Sequence, residues 1–231
     1  MLTLVVVSRL PAQDSTAITW RNEWRPRHDA LALAGVSLAT LAVAPHDVRW
    51  ARAIRGDRYQ HSTALHNTAG ALRTLGDPGA VIISAGLWGT GWALHRPGLG
   101  DAGRHASEAV VVSGVLTSGL KMVFGRSRPF VVHDSDNARF DWFEGTERGN
   151  ASMPSGHTTV AFAMAAALGD ELARTHPRAG RIVRPLLYLG ASGVGVSRMY
   201  HDSHWASDVV VGAGLGTIVA RRLVAMAHPR R

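Results

Sequence analysis

The stretch GNASMPSGHTTVAFAMAAAL, residues 149–168, places a Pro, a Ser, a Gly and a His directly in front of a helix-like apolar run. A helix that begins at Ser155 or Gly156 directs free backbone N–H groups and the positive end of its dipole outward, an arrangement that favours an anion. His157 would then lie beside that anion and could exchange a proton with it near neutral pH. A plain Ser N-cap followed by an unrelated His fits the same residues.

Five more apolar segments accompany this one along the chain. The six segments are 30–44, 80–94, 109–124, 158–168, 186–196 and 209–220. None is bounded by hairpin turns or shows sustained alternation, so the pattern favours helices over strands. We expect an all-α bundle of about six apolar helices, with helix breaks or starts at Pro45, Pro78, Pro97, Pro177 and Pro185.

The length of 231 residues fits one domain, which we place at 29–231. Residues 1–28 form a separate N-terminal segment. Its apolar run, Leu2 to Val7, followed by the small residue Ala12, resembles the end of a truncated secretory signal. The run lacks a basic region before it and is only about 6 residues long, so a frayed N-terminus is the alternative.

The charge of the chain predicts an anionic partner. Lys and Arg total 25 against 17 Asp and Glu, a formal net charge of +8, and Lys121 is the single lysine. Phosphate esters, an anionic membrane surface and nucleic acid would each suit this excess. The arginines are dispersed and are not gathered with stacking aromatics, which disfavours nucleic acid. The chain has no Cys, so thiolate chemistry is excluded.

Segment length and charge give opposite indications about a membrane. The apolar segments run about 11 to 16 residues, whereas a bilayer calls for roughly 20, and the mean hydropathy is only +0.02. On length alone they are buried core helices. The arginines favour a membrane: the loop 169–185 and the C-terminal tail would be cytoplasmic, and loops 125–157 and 197–208 would share the other face. The arginine-rich segment 45–79 does not fit this pattern. The arginines counted are Arg174, Arg178, Arg181, Arg184, Arg221, Arg222, Arg230 and Arg231.

A second stretch with chemical potential is KMVFGRSRPF, residues 121–130. Lys121 ends an apolar segment, and Arg126 and Arg128 follow within two turns. Cations this close repel one another unless an anion meets them. Arg offers a planar fork of donors for phosphate oxygens, and Lys offers a point charge. A solvated basic cluster is the alternative.

The third stretch is VSRMYHDSHWASDVVVG, residues 196–212. Arg198 would hold another anion oxygen, while His204 and Asp208 are four residues apart and would share a helix face. A carboxylate on one imidazole nitrogen makes the other nitrogen a better nucleophile. A structural helix pair is one alternative. Metal ligation by His201, His204 and Asp208 is another, which the neighbouring arginines disfavour.

Together the three stretches supply cations, backbone donors, a His with an orienting Asp, and a second His. Phosphoryl transfer through a phosphohistidine needs these parts and no metal, because arginines can stabilise the transferring oxygens. The set predicts a phosphoryl-transfer enzyme without a cofactor.

The spacing also resembles a known family signature. Three motifs identify the type 2 phosphatidic acid phosphatases: K-x6-R-P, P-S-G-H and S-R-x5-H-x3-D. Bacterial class A acid phosphatases and vanadium haloperoxidases share the site architecture of this family. The matching positions are Lys121 to Arg128 and Pro129, Pro154 to His157, and Ser197, Arg198, His204 and Asp208. The resemblance covers about residues 105–220.

The resemblance implies a helical bundle with its active site at one end. By that resemblance His204 is the nucleophile, Asp208 orients it, and His157 is the general acid and then the base. The implied phosphate-binding residues are Lys121, Arg128, Ser155, Gly156 and Arg198. Arg126 lies between signature positions and is assigned only as a neighbour.

We therefore expect a metal-independent phosphatase of the bacterial cell envelope. Its substrates would be phosphate monoesters or lipid phosphates and pyrophosphates, and its site would face the periplasm from the cytoplasmic membrane. Two alternatives within the resemblance are a vanadate-dependent haloperoxidase and a soluble periplasmic non-specific acid phosphatase. A module that binds an anion without turning it over is a third, but it has no need of two such histidines.

Overall fold

The structure is a computed structural model that describes residues 26–133, 135–147 and 149–228. Over these residues the chain forms nine α-helices and no β-strand, which confirms the all-α prediction. The helices are α1 (Pro26–Val43), α2 (Asp47–Ile54), α3 (Asp57–Gln60), α4 (Thr63–Gly76), α5 (Gly79–Ala93), α6 (Pro97–Phe124), α7 (Gly156–Thr175), α8 (Pro177–Tyr200) and α9 (Ala206–Ala227). The signal-like run at Leu2 to Val7 and Ala12 lies outside the described residues.

Each predicted apolar segment lies in a helical part of the chain, and most of the prolines act as expected. Pro97 and Pro177 are the first residues of α6 and α8, Pro78 caps α5, and Pro45 lies in a 3₁₀ turn between α1 and α2. The prediction for Pro185 was wrong, since it lies inside α8. Pro185 and Arg181 are both exposed, so the proline ring and the carbonyl that it leaves without a partner lie away from the core.

Helix α7 is central and packs against α6, α8 and α9. Alanines dominate these contacts: Ala106 and Ala109 of α6, Ala163, Ala166 and Ala167 of α7, and Ala220 of α9 are all fully buried. At Gly216 of α9 a Cβ atom would lie 2.1 Å from the carbonyl oxygen of Thr159, so only glycine allows this approach of α9 to α7. Small side chains therefore set the close spacing of the bundle.

Three helical stretches are long and apolar enough to cross a membrane. They are Arg27–Ile54, Pro97–Phe124 and Ala206–Ala227. The expectation of short core helices was wrong for α6 and α9, because these helices continue through polar residues beyond their apolar segments. Large apolar side chains of α1, such as Leu31 at 71% exposure, point away from the protein. Such outward apolar faces suit contact with lipid, and we treat the chain as a membrane protein.

The antiparallel course of the last four helices brings the three signature stretches to one end. Lys121 is in the last turn of α6, His157 in the first turn of α7, Arg198 in the last turn of α8 and Asp208 in the first turn of α9. The loop that joins α6 to α7 crosses the same end. We call this the active-site end, and the other end of these helices the distal end.

Candidate active site

Six of the eight predicted site residues line one cavity of about 290 Å³ at the active-site end. They are Lys121, Arg128, Gly156, His157, Arg198 and His204. Asp77 and Thr117 also form its wall. Ser155 and Asp208 do not line it. The cavity therefore combines three cationic side chains with two imidazoles.

The cations are held close together by the backbone. The carbonyl oxygen of Ala151 accepts hydrogen bonds from Lys121 Nζ and from Arg128 Nη2, the latter at 3.2 Å. Arg198 is only 6% exposed, and within the described chain its Nε and Nη1 have no hydrogen-bond partner. Buried guanidinium N–H groups without an acceptor are costly, so this site is built to receive an anion.

His204 lies in the loop before α9, which begins at Ala206. The prediction that His204 and Asp208 share a helix face was therefore wrong. His204 Nδ1 lies 2.7 Å from the carbonyl oxygen of Ser152, which can only accept a hydrogen bond, so Nδ1 carries the proton and Nε2 has a free lone pair. Burial, with a smaller contribution from the charges of Lys121 and Arg128, lowers the pKa of His204 to about 3 against the opposing effect of Asp208. The imidazole is neutral at neutral pH, as a nucleophile must be.

Asp208 supports His204 through Ser152. Its Oδ2 is 3.8 Å from His204 Nδ1, too far for a hydrogen bond, but accepts from the Ser152 hydroxyl at 2.5 Å and from the Trp205 N–H at 2.9 Å. Its Oδ1 accepts from Arg126 Nη1 at 2.5 Å. The carboxylate thus fixes the segment whose carbonyl orients His204.

Arg126 and Asp47 form a buried layer behind Asp208. Arg126 does not line the cavity; it bridges Asp208 and Asp47, with Nη2 2.9 Å from Asp47 Oδ2. Asp47 also accepts from the backbone N–H of Ser207 at 2.9 Å. In the sequence, Asp47 is marked only as a carboxylate shortly after Pro45, at the start of a helix, and this gives no indication of its role at the site. Through this layer α2 contacts α9 at the active-site end.

Ser155 is placed differently from its predicted role. Its hydroxyl lies 2.8 Å from Thr158 Oγ1 and is fully buried, and its N–H donates to the Asp208 carbonyl at 3.1 Å. Ser155 is the N-cap residue of α7, but its side chain makes no capping hydrogen bond and does not line the cavity. Gly156, the next residue, is the one that contacts the anion space.

The end of α4 packs directly on His157. A Cβ atom at Gly76 would lie 3.1 Å from the His157 Cβ and 2.7 Å from a methyl group of Val194, so the absence of a side chain permits this contact. Burial lowers the pKa of His157 to about 4, and the charge of Arg198 adds to this effect, while Asp77 opposes it. Asp77, which the sequence analysis missed, is the carboxylate on the cavity wall that favours the protonated imidazole.

The metal-ligand alternative is not assembled. His201 lines a neighbouring cavity with His66 and Tyr200, apart from the cavity that His204 faces. The three residues of that alternative, His201, His204 and Asp208, therefore do not converge on one point.

Comparisons with known proteins relate this chain to a family. The family model of the PAP2 superfamily matches residues 103–231. A lipid A 1-phosphatase of Rhizobium etli is 34% identical over 114 residues, which are 49% of this chain and 45% of the relative. A lipid A 1-phosphatase of Porphyromonas gingivalis is 36% identical over 112 residues, 47% of this chain and 20% of the relative. The Arabidopsis thaliana lipid phosphate phosphatase 1 is 30% identical over 131 residues, 48% and 40% of the two chains. The chain spans less than half of the length of these relatives.

A solved structure matches over most of both chains. It is the transmembrane PAP2-type phosphatidylglycerolphosphate phosphatase of Bacillus subtilis, with a TM-score of 0.59 over 86% of this chain and 96% of the other. The sequence identity of 17% makes this a likeness of fold alone. Together the two comparisons confirm the family resemblance that the signature indicated.

Proposed function

The chain belongs to the PAP2 superfamily, and from this premise we propose that it is a metal-independent phosphatase that acts through a phosphohistidine. The observation that carries the proposal is the cavity itself, where the unpartnered nitrogens of buried Arg198 lie with two other cations and a neutral His204. A site that only binds an anion would not need an imidazole held in its nucleophilic tautomer.

The three cations hold the phosphate in this mechanism. Lys121, Arg128 and Arg198 bind its non-bridging oxygens and stabilise the charge that these oxygens carry in the transition state. Gly156 brings the start of α7 close to the phosphate, where the helix dipole favours negative charge. Thus the cavity performs with fixed side chains what a metal ion performs in other phosphoryl-transfer sites.

His204 and His157 carry the two chemical steps. In the first, His204 Nε2 attacks phosphorus, the P–N bond forms, the ester P–O bond breaks, and His157 gives its proton to the departing oxygen. In the second, His157 takes a proton from water, the water oxygen attacks phosphorus, and the P–N bond breaks to release inorganic phosphate and His204. The low pKa of free His157 rises when the negative phosphate binds beside it, so the imidazole is protonated when it is needed.

Lipid phosphates are the substrate class that we propose. The Rhizobium and Arabidopsis relatives are named as lipid phosphatases, and three helical stretches of this chain are long and apolar enough to span a bilayer. A phosphate carried by a membrane lipid would reach a cavity at the helix ends without leaving the bilayer surface. A Salmonella typhimurium relative, 35% identical over 107 residues, is a non-specific acid phosphatase, and for this reason soluble esters belong in the substrate panel.

The decisive experiment traps the intermediate. We expect the wild-type chain, mixed with ³²P-labelled phosphatidate and quenched in base, to retain an acid-labile label, and His204→Asn to show neither label nor turnover. His176→Ala, an exposed histidine at the distal end, serves as the matched control and should behave as wild type. Two results would overturn the proposal. One is a wild-type chain that hydrolyses phosphatidate without retaining any label. The other is a chain that does not hydrolyse phosphatidate and, with vanadate bound, oxidises bromide with peroxide.

We further propose that the active-site end faces the periplasm. The loop between α7 and α8 lies at the distal end with Arg174, Arg178, Arg181 and Arg184 on the helices beside it, the charge that keeps a short loop cytoplasmic. Because the chain has no Cys, single-cysteine variants report orientation without background labelling. A membrane-impermeant maleimide should label exposed Ser135→Cys in intact spheroplasts and Ala179→Cys only after lysis. The reverse pattern would place the site in the cytoplasm.

A further inference from the structure

A second cluster of chemically active side chains lies at the distal end, where the proposed phosphatase makes no use of it. Its members come from three helices: His105 from α6, Glu171 from α7 and His228 directly after α9. His157 and Glu171 are 14 residues apart on α7, which is roughly 21 Å at 1.5 Å per residue. The cluster is therefore separate from the phosphate cavity.

The ligand atoms of this cluster converge on one point. His105 Nδ1 lies 2.6 Å and His228 Nε2 2.7 Å from the same carboxylate oxygen, Glu171 Oε1, and the three atoms are all within 4.8 Å of one another. His105 and Glu171 are each 1% exposed at the side chain, and His228 at 27% leaves an approach from solvent. Two imidazoles and one carboxylate are a ligand set that Zn²⁺ prefers, with a fourth position left for water.

We propose that His105, Glu171 and His228 form a binding site for a divalent first-row metal, Zn²⁺ being the ion that suits the ligands best. The hydrogen-bonded arrangement is the metal-free form of the site. On binding, the proton of His105 moves from Nδ1 to Nε2 and that of His228 from Nε2 to Nδ1, so each neutral ring offers a lone pair to the metal. The ion joins α6, α7 and the end of α9 and acts as a structural clamp.

The arginines around the cluster are compatible with a cation. Arg174 donates to the other carboxylate oxygen, Glu171 Oε2, at 2.8 Å, which leaves Oε1 for the metal and fixes the carboxylate as outer-shell donors do. Arg104 Nη2 lies 2.9 Å from His105 Nε2 and must turn away when that nitrogen takes the proton. Its side chain is 46% exposed, and Asp101 and Glu108 lie 3.9 Å from it as replacement partners.

Cobalt provides the direct test, because four-coordinate Co²⁺ with nitrogen and oxygen ligands has visible absorption bands much stronger than those of the hydrated ion. The purified full-length chain, without a polyhistidine tag, is titrated with Co²⁺ in detergent and then with Zn²⁺ as competitor. We expect one Co²⁺ per chain with these bands, and their loss when Zn²⁺ displaces the ion. The absence of such bands from the wild-type chain would overturn the proposal and leave a hydrogen-bonded network.

Variants locate the ion. We expect Glu171→Gln and His228→Ala each to weaken Co²⁺ binding by more than about 10-fold, the lower end of the loss known for outer-shell groups. His228 is at a helix end, so its variant should still fold, and His176→Ala at the same end is the matched control that should keep wild-type affinity. The site would be refuted if the Co²⁺ bands were lost in His204→Asn. It would also be refuted if the bands persisted in both Glu171→Gln and His228→Ala, because the metal would then bind elsewhere.

A functional readout separates this site from the phosphatase chemistry. Zinc should raise the melting temperature of the wild-type chain and not that of His228→Ala, because a ligand stabilises only a fold that binds it. After a chelator removes the ion, the rate of phosphohistidine formation should stay within about 2-fold of the rate before removal, since sites this far apart act independently. Loss of phosphohistidine formation on chelation would contradict a purely structural clamp.

Discussion

The two ends of α6, α7 and α9 are opposite solutions to the burial of charge. At the active-site end, Arg198 keeps guanidinium nitrogens without hydrogen-bond partners in the described chain, next to Lys121. At the distal end, both oxygens of the buried carboxylate Glu171 accept hydrogen bonds, from two imidazoles and one guanidinium. Unsatisfied cations at the active-site end can receive an anion directly, whereas the matched hydrogen bonds of the distal end join three helices and must rearrange before a metal ion binds there.

The largest effect is expected where the charge is unmatched. Arg198→Ala should lower kcat/KM for a lipid phosphate by about 10²- to 10³-fold, because a donor to the transferring oxygens is lost. The protein should melt no lower than wild type, since the substitution also removes an unpaired buried charge. Steady-state kinetics and thermal melts check both parts, and a variant that unfolds instead would show that Arg198 has a structural partner.

A smaller effect is expected one layer behind the cavity. Asp47→Asn leaves Arg126 with Asp208 as its single carboxylate partner, so Asp208 and the Ser152 segment should shift. We expect kcat to fall about 10-fold with KM nearly unchanged, because the positioning of His204 suffers and the phosphate contacts do not. Asp101→Asn, which changes a half-buried carboxylate at the distal end, is the control. A rise in KM with unchanged kcat would contradict a positioning role.

His157, which we propose as the general acid and base, should respond to its neighbouring carboxylate. The Asp77 charge favours protonated His157, so Asp77→Asn lowers the pKa of His157 still further. The acid form is then lost at lower pH, and the alkaline limb of the kcat/KM profile should move toward lower pH by up to about one unit. The acidic limb, which reports protonation of His204, should stay in place. A shift toward higher pH would exclude Asp77 as a partner of His157.

The smallest effect on catalysis is expected at the distal end. Glu171→Gln should leave kcat/KM within about 2-fold, because the cluster is remote from the phosphate. Stability should fall, because the substitution removes the carboxylate charge to which two imidazoles and Arg174 are hydrogen-bonded. Each kcal/mol of unfolding free energy that is lost lowers the melting temperature by about 2 to 4 °C. A large loss of activity in a folded variant would mean that the two ends are coupled.

The sequence predicted the cations and histidines of the cavity, but it did not predict Asp77 on the cavity wall or the buried layer behind Asp208. Lys121, His157 and Arg198 could be found because they stand at fixed spacings beside helix ends, a property of the local chain. Asp47 and Asp77 reach the site only through the packing of α2 and of the end of α4, which no local spacing encodes. Ser155 was assigned correctly as a helix start, but the contact of its hydroxyl with Thr158 could not be read from the sequence, because it depends on how the side chain is directed in the folded helix.

The hydrogen bond between His204 Nδ1 and the Ser152 carbonyl has a consequence for how the protein tolerates mutation. The acceptor that selects the tautomer is a main-chain oxygen, which every residue type carries. A change of the Ser152 side chain weakens the link to Asp208 but cannot delete the oxygen that keeps the Nε2 lone pair free. Because Ser152 is fully buried, an alanine at this position should keep the tautomer while loosening the link to Asp208, whereas a larger side chain should displace the backbone that carries the oxygen.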